Sequence, residues 1–122
     1  MKRLLLLAAL ALAVACSQKT TPLVGISCSR YNSHAILPET YTNAVSRAGG
    51  APVILPTVSS PAEARSLMSR LDGLVLSGGE DVNPAWYGEE VLNATVECDP
   101  VRDRSDTLLL AEALDADKPA PA

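Results

Sequence analysis

What most constrains this chain is an alternation of short apolar runs with helical apolar faces, punctuated by glycine and proline. Leu23–Cys28 is a short apolar run that reads as a buried first strand. Tyr41, Ala44, Val45 and Ala48 then recur at i, i+3, i+4 and i+7, one face of a helix that Gly49-Gly50 stops. Ala51–Leu55 reads as a second strand closed by Pro56. Ser60-Pro61-Ala62-Glu63 supplies an N-cap, a proline at the first helical position and a capping-box glutamate. Ala64, Leu67, Met68 and Leu71 continue that second helix on one face. Asp72-Gly73 turns into a third strand, Leu74-Val75-Leu76, and Ser77-Gly78-Gly79 follows it. A long irregular segment runs to about Val101, and Thr107, Leu110, Ala111 and Leu114 mark the apolar face of a third helix.

The order β-α-β-α-β-loop-α predicts an α/β fold, a parallel sheet with helices on its faces, because strands joined by helical crossovers run parallel. Right-handed crossovers bring the loop after the third strand to the carboxyl edge of the sheet, where α/β proteins bind ligands. Lys118-Pro119 is placed to introduce another strand, yet the sequence given stops at Ala122. Three strands alone leave an open edge and a poorly covered face. The expectation is therefore a partial doubly wound parallel sheet.

The first residues read as an address and not as part of this fold. Met1-Lys2-Arg3 is a positive start, and Leu4–Val14 is an unbroken apolar run of 11 residues. That suits a signal peptide and falls short of the ~20 residues of a membrane-spanning helix. Ala13-Val14-Ala15-Cys16 resembles the lipobox of bacterial lipoproteins, in which the cysteine is diacylated and becomes the new N-terminus. The expected organisation is a signal peptide over residues 1–15, a lipidated tether over 16–22 anchored at Cys16, and a domain over 23–122. Ser17 carries no acidic retention signal, so a periplasm-facing lipoprotein of the outer membrane is expected ahead of the inner. Ordinary secretion with cleavage after Ala15, giving a soluble periplasmic protein, is the alternative.

Charge narrows the partners. Asp and Glu number 14 against 10 Lys and Arg, with a sequence pI near 4.8, which excludes a nucleic-acid binder relying on a basic face. Trp86, Tyr31, Tyr41 and Tyr87 are the only aromatics, few for base stacking. No Cys/His/Asp cluster has metal-ligand spacing, and no phosphate-binding or dinucleotide fingerprint occurs. No cofactor and no metal are expected.

Three segments together resemble one family. They are Leu37-Pro38-Glu39-Thr40-Tyr41 with Ala48–Pro56, Leu74–Pro84 with Tyr87-Gly88-Glu89, and Asp99-Pro100-Val101-Arg102-Asp103. In order and spacing they resemble the γ-glutamyl-γ-aminobutyrate hydrolases, peptidase family C26 of the class I glutamine amidotransferase-like superfamily. That resemblance implies a flavodoxin-like amidotransferase fold and hydrolysis of γ-glutamyl amide bonds through a cysteine thioester, without a cofactor. It implies a nucleophile in a G-x-C-x-G elbow soon after Lys118-Pro119, with a histidine base and an orienting acid further on. None of the three lies in these 122 residues. The chain thus resembles an N-terminal part truncated before the elbow, inactive alone. The alternatives are a non-catalytic ligand-binding lipoprotein or a degraded gene fragment.

By the same resemblance, Gly78 and Gly79 supply backbone N–H groups to the oxyanion hole, and Asp81, Tyr87 and Arg102 border the substrate pocket, with Asn83 and Asp103 nearby. Read alone, Gly78-Gly79 is a tight turn after a strand. Arg102 has two readings: a fork for a substrate carboxylate, or, with Asp103, a cap of the third helix or a hold on the long loop. Trp86 reads as a lid or packing residue. Cys28 lacks flanking elbow glycines, and Cys98 sits between Glu97 and Asp99, whose charge disfavours a thiolate. His34 is the only histidine. A Cys28–His34 dyad and a Cys28–Cys98 disulfide are both left open, beside a buried structural cysteine and a solvated loop histidine.

Overall fold

A computed structural model describes residues 20–91 and 94–122. The expected signal segment and the expected lipidation site, Cys16, lie outside the described residues. Among the described residues, β1 (Leu23–Ile26), β4 (Ala51–Ile54) and β5 (Gly73–Val75) form a parallel sheet in the order β4-β1-β5. Leu23 faces Ala51 across one pair, and Val24 faces Gly73 across the other.

Helix α1 (Glu39–Arg47) joins β1 to β4, and α2 (Pro61–Met68) joins β4 to β5. The chain steps to one side of β1 and then back across to the other. With right-handed crossovers this reversal sends α1 and α2 to opposite faces of the sheet. Neighbouring strand residues agree. A Cβ on Gly50 would meet Val24 and the α1 residue Val45, whereas one on Gly25 would meet Leu71 and Leu55. The sheet is doubly wound, an α/β arrangement consistent with part of a class I glutamine amidotransferase-like domain.

The core lies on the α2 side, where Leu55, Val58, Ala64, Met68, Leu71, Leu74, Leu109 and Ala113 pack together. The predicted face of the second helix is the one used: Ala64, Met68 and Leu71 are buried and Leu67 is half-buried. Ser60 caps α2 by accepting from the Glu63 N–H at 3.2 Å. Glu63 reaches one residue further back than a standard capping box, accepting from the Ser59 N–H at 2.7 Å.

Three readings are corrected. The polar stretch after β1 is an antiparallel hairpin, β2 (Ser29–Tyr31) with β3 (His34–Ile36), turning at Asn32 and Ser33, both at positive φ. His34 therefore stands in a strand. The third helix, α3 (Pro100–Asp115), starts at Pro100 behind an Asp99 cap. Its buried face is Arg102, Ser105, Leu109 and Ala113; Thr107, Ala111 and Leu114 are exposed and Leu110 is half-buried. Counting apolar residues misplaced the face by roughly two fifths of a turn, at 3.6 residues per turn, because half of the true one is polar.

The predicted return after Lys118 takes the form of an extended tail along β5. The Leu74 and Leu76 N–H groups donate to the Pro119 and Pro121 carbonyls at 2.9 and 3.1 Å. Prolines suit this position, since they accept but cannot donate and so bar a regular ladder beyond.

Candidate functional site

The sheet order puts a switch point between β1 and β5, whose chain connections leave in opposite directions. A crevice outside the carboxyl ends of such strands is where open α/β sheets hold ligands. A cleft of about 510 Å³ opens off the carboxyl end of β5, walled by Leu76–Val82, Trp86, the first three turns of α3 and the tail residue Ala122. The predicted residues Gly78, Gly79, Asp81, Trp86, Arg102 and Asp103 all border it. Tyr87 does not; it stands outside the cleft wall and is 62% exposed.

Arg102 organises the floor. It is only 5% exposed, on the inner face of α3. Its Nη1 donates to Glu80 Oε2 at 2.5 Å and Ser29 Oγ at 2.9 Å. Its Nη2 donates to the Ser77 carbonyl, to Ser77 Oγ at 3.2 Å and to the Gly78 carbonyl at 3.3 Å. Nε faces Asp106 Oδ2 at 3.5 Å, one helical turn on. Of the two roles left open for Arg102, its fork is spent within the protein, holding the loop after β5 against α3. A buried guanidinium needs this many partners, because an unpaired charge out of water is costly. Among the described residues no buried side-chain polar atom lacks a partner.

Gly79 is glycine for that reason. A Cβ there would sit against Arg102 Nη1 and 2.6 Å from Ser29 Oγ. The Gly78 N–H donates to Tyr41 Oη at 2.9 Å, so the turn is also tied to α1. Ser27 completes the floor, its hydroxyl accepting from the Ser77 N–H at 3.2 Å and facing Asp106 at 3.5 Å.

The two carboxylates on Arg102 titrate in opposite directions. Glu80 is held below the usual glutamate range, first by its own backbone N–H and then by Arg102. Burial pushes Asp106 up, an effect that the Arg102 charge only partly offsets.

The remaining predicted residues serve the loop. Asp103 Oδ2 accepts from the Asn83 N–H at 3.1 Å, and Asn83 Oδ1 caps the short 3-10 helix Pro84–Tyr87 by accepting from Ala85 N–H at 3.0 Å. Asp81 forms an isolated parallel bridge with Cys98, its N–H donating to the Glu97 carbonyl at 2.6 Å. Asp99 caps α3, accepting from Val101 and Arg102 N–H groups at 3.0 and 3.2 Å, and meets Arg30 at 3.5 Å.

The cysteines and the histidine do not converge. Cys28 and Cys98 are free thiols. Cys28 is buried and donates to the Leu55 carbonyl at 3.2 Å, and its burial raises its pKa. His34 is exposed, its Nδ1 2.7 Å from the Asn32 carbonyl. Cys98 is also raised, by desolvation and then by the charges of Asp103 and Asp81, not by its sequence neighbours.

Sequence reasoning missed Tyr41, Glu80 and Asp106 as site residues. Asp106 had a signal, its i+4 spacing from Arg102. Tyr41 reads in the sequence as part of a helical face and of a family-like segment, and nothing local marks its contact with Gly78.

Comparison with known proteins adds independent support. Residues 14–122 match the Peptidase C26 family. The chain is 36% identical over 88 residues to Protein NtpR of Enterococcus hirae, covering 72% of this chain and 36% of that protein. It is 35% identical over 100 residues to the γ-glutamyl-γ-aminobutyrate hydrolase PuuD of Escherichia coli, covering 77% of this chain and 39% of the hydrolase. A glutamine amidotransferase-like protein of Rickettsia prowazekii is 33% identical over 113 residues, covering 83% and 39%. The chain spans less than two fifths of the length of these relatives.

Proposed function

Since the chain belongs to the Peptidase C26 family, we propose that it forms the oxyanion side of a hydrolase acting on γ-glutamyl amides. The observation that carries this is the Ser77–Gly78–Gly79 turn, fixed at the sheet switch point on the rim of the cleft. A backbone N–H held rigidly there suits the negative charge that develops on an amide oxygen during acyl transfer. The relatives named γ-glutamyl-γ-aminobutyrate hydrolase favour a γ-glutamyl amide as the bond cut.

In this reading a cysteine thiol, deprotonated by a histidine, adds to the γ-amide carbon. The histidine passes that proton to the departing amine, and water then hydrolyses the thioester. On this proposal the nucleophile elbow, the histidine and its acid come from outside these 122 residues: the Cys28 thiol is buried on the Leu55 carbonyl, and His34 bonds to the Asn32 carbonyl. The 122-residue chain alone is therefore inert. We further propose that the mature protein faces the periplasm, anchored through acylated Cys16.

The test is glutamate release from γ-glutamyl-γ-aminobutyrate by the protein isolated from its own cells, with its mass measured beside it. Turnover by a species about twice the mass of this chain, in the range of a complete α/β domain, supports the reading. A species of this chain's mass that turns over the substrate, with activity lost in Cys28→Ala, overturns it. A mature mass without acyl chains removes the anchor.

A further inference from the structure

The Ser77–Gly78–Gly79 turn is gripped from two sides. From α3, Arg102 Nη2 donates to the Ser77 carbonyl and to the Gly78 carbonyl. From α1, Tyr41 Oη accepts the Gly78 N–H at 2.9 Å. A trans peptide unit is planar and sets each carbonyl antiparallel to the following N–H, and no peptide bond among the described residues is cis. Holding the Ser77 carbonyl on Arg102 therefore turns the Gly78 N–H to the far side, which is where Tyr41 stands. Holding the Gly78 carbonyl on the same guanidinium turns the Gly79 N–H away from Arg102 in the same way.

We propose that Tyr41 and Arg102 are positioning residues that fix these two peptide planes, so that the Gly79 amide is the oxyanion donor while the Gly78 amide stays engaged by Tyr41. The inference rests on the hydrolase reading above. In the step concerned, the thiolate adds to the amide carbon and the carbonyl electron pair moves onto oxygen. That pair returns as the C–N bond breaks, and the amine leaves with the proton the histidine took from the thiol. A donor already aimed where that charge appears needs no reorganisation at the moment of reaction. Glycine at 79 and a buried arginine behind it form one device, since any side chain at 79 would occupy the guanidinium's place.

The experiment compares wild type, Tyr41→Phe and Arg102→Lys in the protein isolated from its own cells. It reads kcat and KM for γ-glutamyl-γ-aminobutyrate and hydrogen exchange at the Gly78 and Gly79 amides. Tyr41→Phe removes only the acceptor, so kcat is expected to fall about tenfold, less than the loss of a donor itself, with KM nearly unchanged. Gly78 exchange should accelerate in the same variant. Arg102→Lys keeps the charge but not the fork, and should lower kcat further while freeing the Gly79 plane as well. Unchanged kcat and unchanged Gly78 exchange in Tyr41→Phe overturn the assignment, as does a rise in KM alone. Wild-type protein that releases no glutamate overturns the hydrolase reading and the donor assignment with it. An active wild type beside an unaffected Tyr41→Phe overturns the assignment only.

Discussion

At Gly79 the missing Cβ leaves the space that the Arg102 guanidinium and its partner Ser29 Oγ occupy together. Gly79→Ala is expected to push Arg102 out of contact with Glu80 and destabilise the fold by about 1–3 kcal/mol, as overpacking of a filled site does, read from urea unfolding. The charges around Arg102 give a second residue-scale expectation. Glu80 titrates below the ordinary glutamate value in the fold, so the stability it adds is present above that ordinary value and lost as pH falls through the lowered one. Asp106 titrates above the ordinary aspartate value, so its favourable contribution is complete below that value and lost as pH rises through the raised one. Urea midpoints followed against pH should show Glu80→Gln flattening the acid fall. Asp106→Asn should flatten the opposing loss on the higher side. Equal slopes in wild type and both variants would show that Arg102 is held by contacts other than these carboxylates.

Among the elements, local chemistry decided what was legible. The β1, β4, β5, α1 and α2 positions follow from apolar runs, glycine stops and the Ser60-Pro61 start, signals that act within a few residues. The β2–β3 hairpin left no such trace, because its strands are three residues each and mostly exposed, so they need no alternation of apolar residues. The α3 face was unreadable for another reason. Arg102 and Ser105 occupy buried positions by bonding: Arg102 to the loop after β5, and Ser105 Oγ to the Val58 N–H at 2.9 Å. A hydrophobicity pattern cannot register a core face built half from satisfied polar groups. The candidate site was legible only through its glycine pair, Arg102 and the loop carboxylates; Tyr41 depended on a tertiary contact between α1 and the loop after β5 that no local period encodes. The caps, by contrast, make a direct prediction. Ser60→Ala removes the acceptor for the Glu63 N–H and should cost about 1 kcal/mol, the usual worth of an N-cap side chain. Thermal unfolding of wild type and variant reads it.

At the scale of the whole molecule, the tail links the far end of α2 to the outer strand of the sheet. Where α2 ends, Lys118 Nζ donates to the Met68 and Leu71 carbonyls, the first of which also accepts the Leu71 N–H at 3.3 Å. That anchor sets the next three residues along β5, where Pro119 and Pro121 accept from the Leu74 and Leu76 N–H groups. The loop that forms the cleft begins immediately after those leucines, so β5 is braced on one side by β1 and on the other by a tail that Lys118 anchors at its start. Lys118→Met keeps the length and apolar stem of the side chain but removes its donors. It is expected to cost about 1 kcal/mol, the net worth of a hydrogen bond at a partly solvated site. Its distinctive sign lies elsewhere, in faster hydrogen exchange at Leu74 and Leu76 while the β1 amides keep their protection. If those two amides stay as slow in Lys118→Met as in wild type, the tail is held by the proline carbonyls themselves, and the brace on the cleft loop does not run through α2.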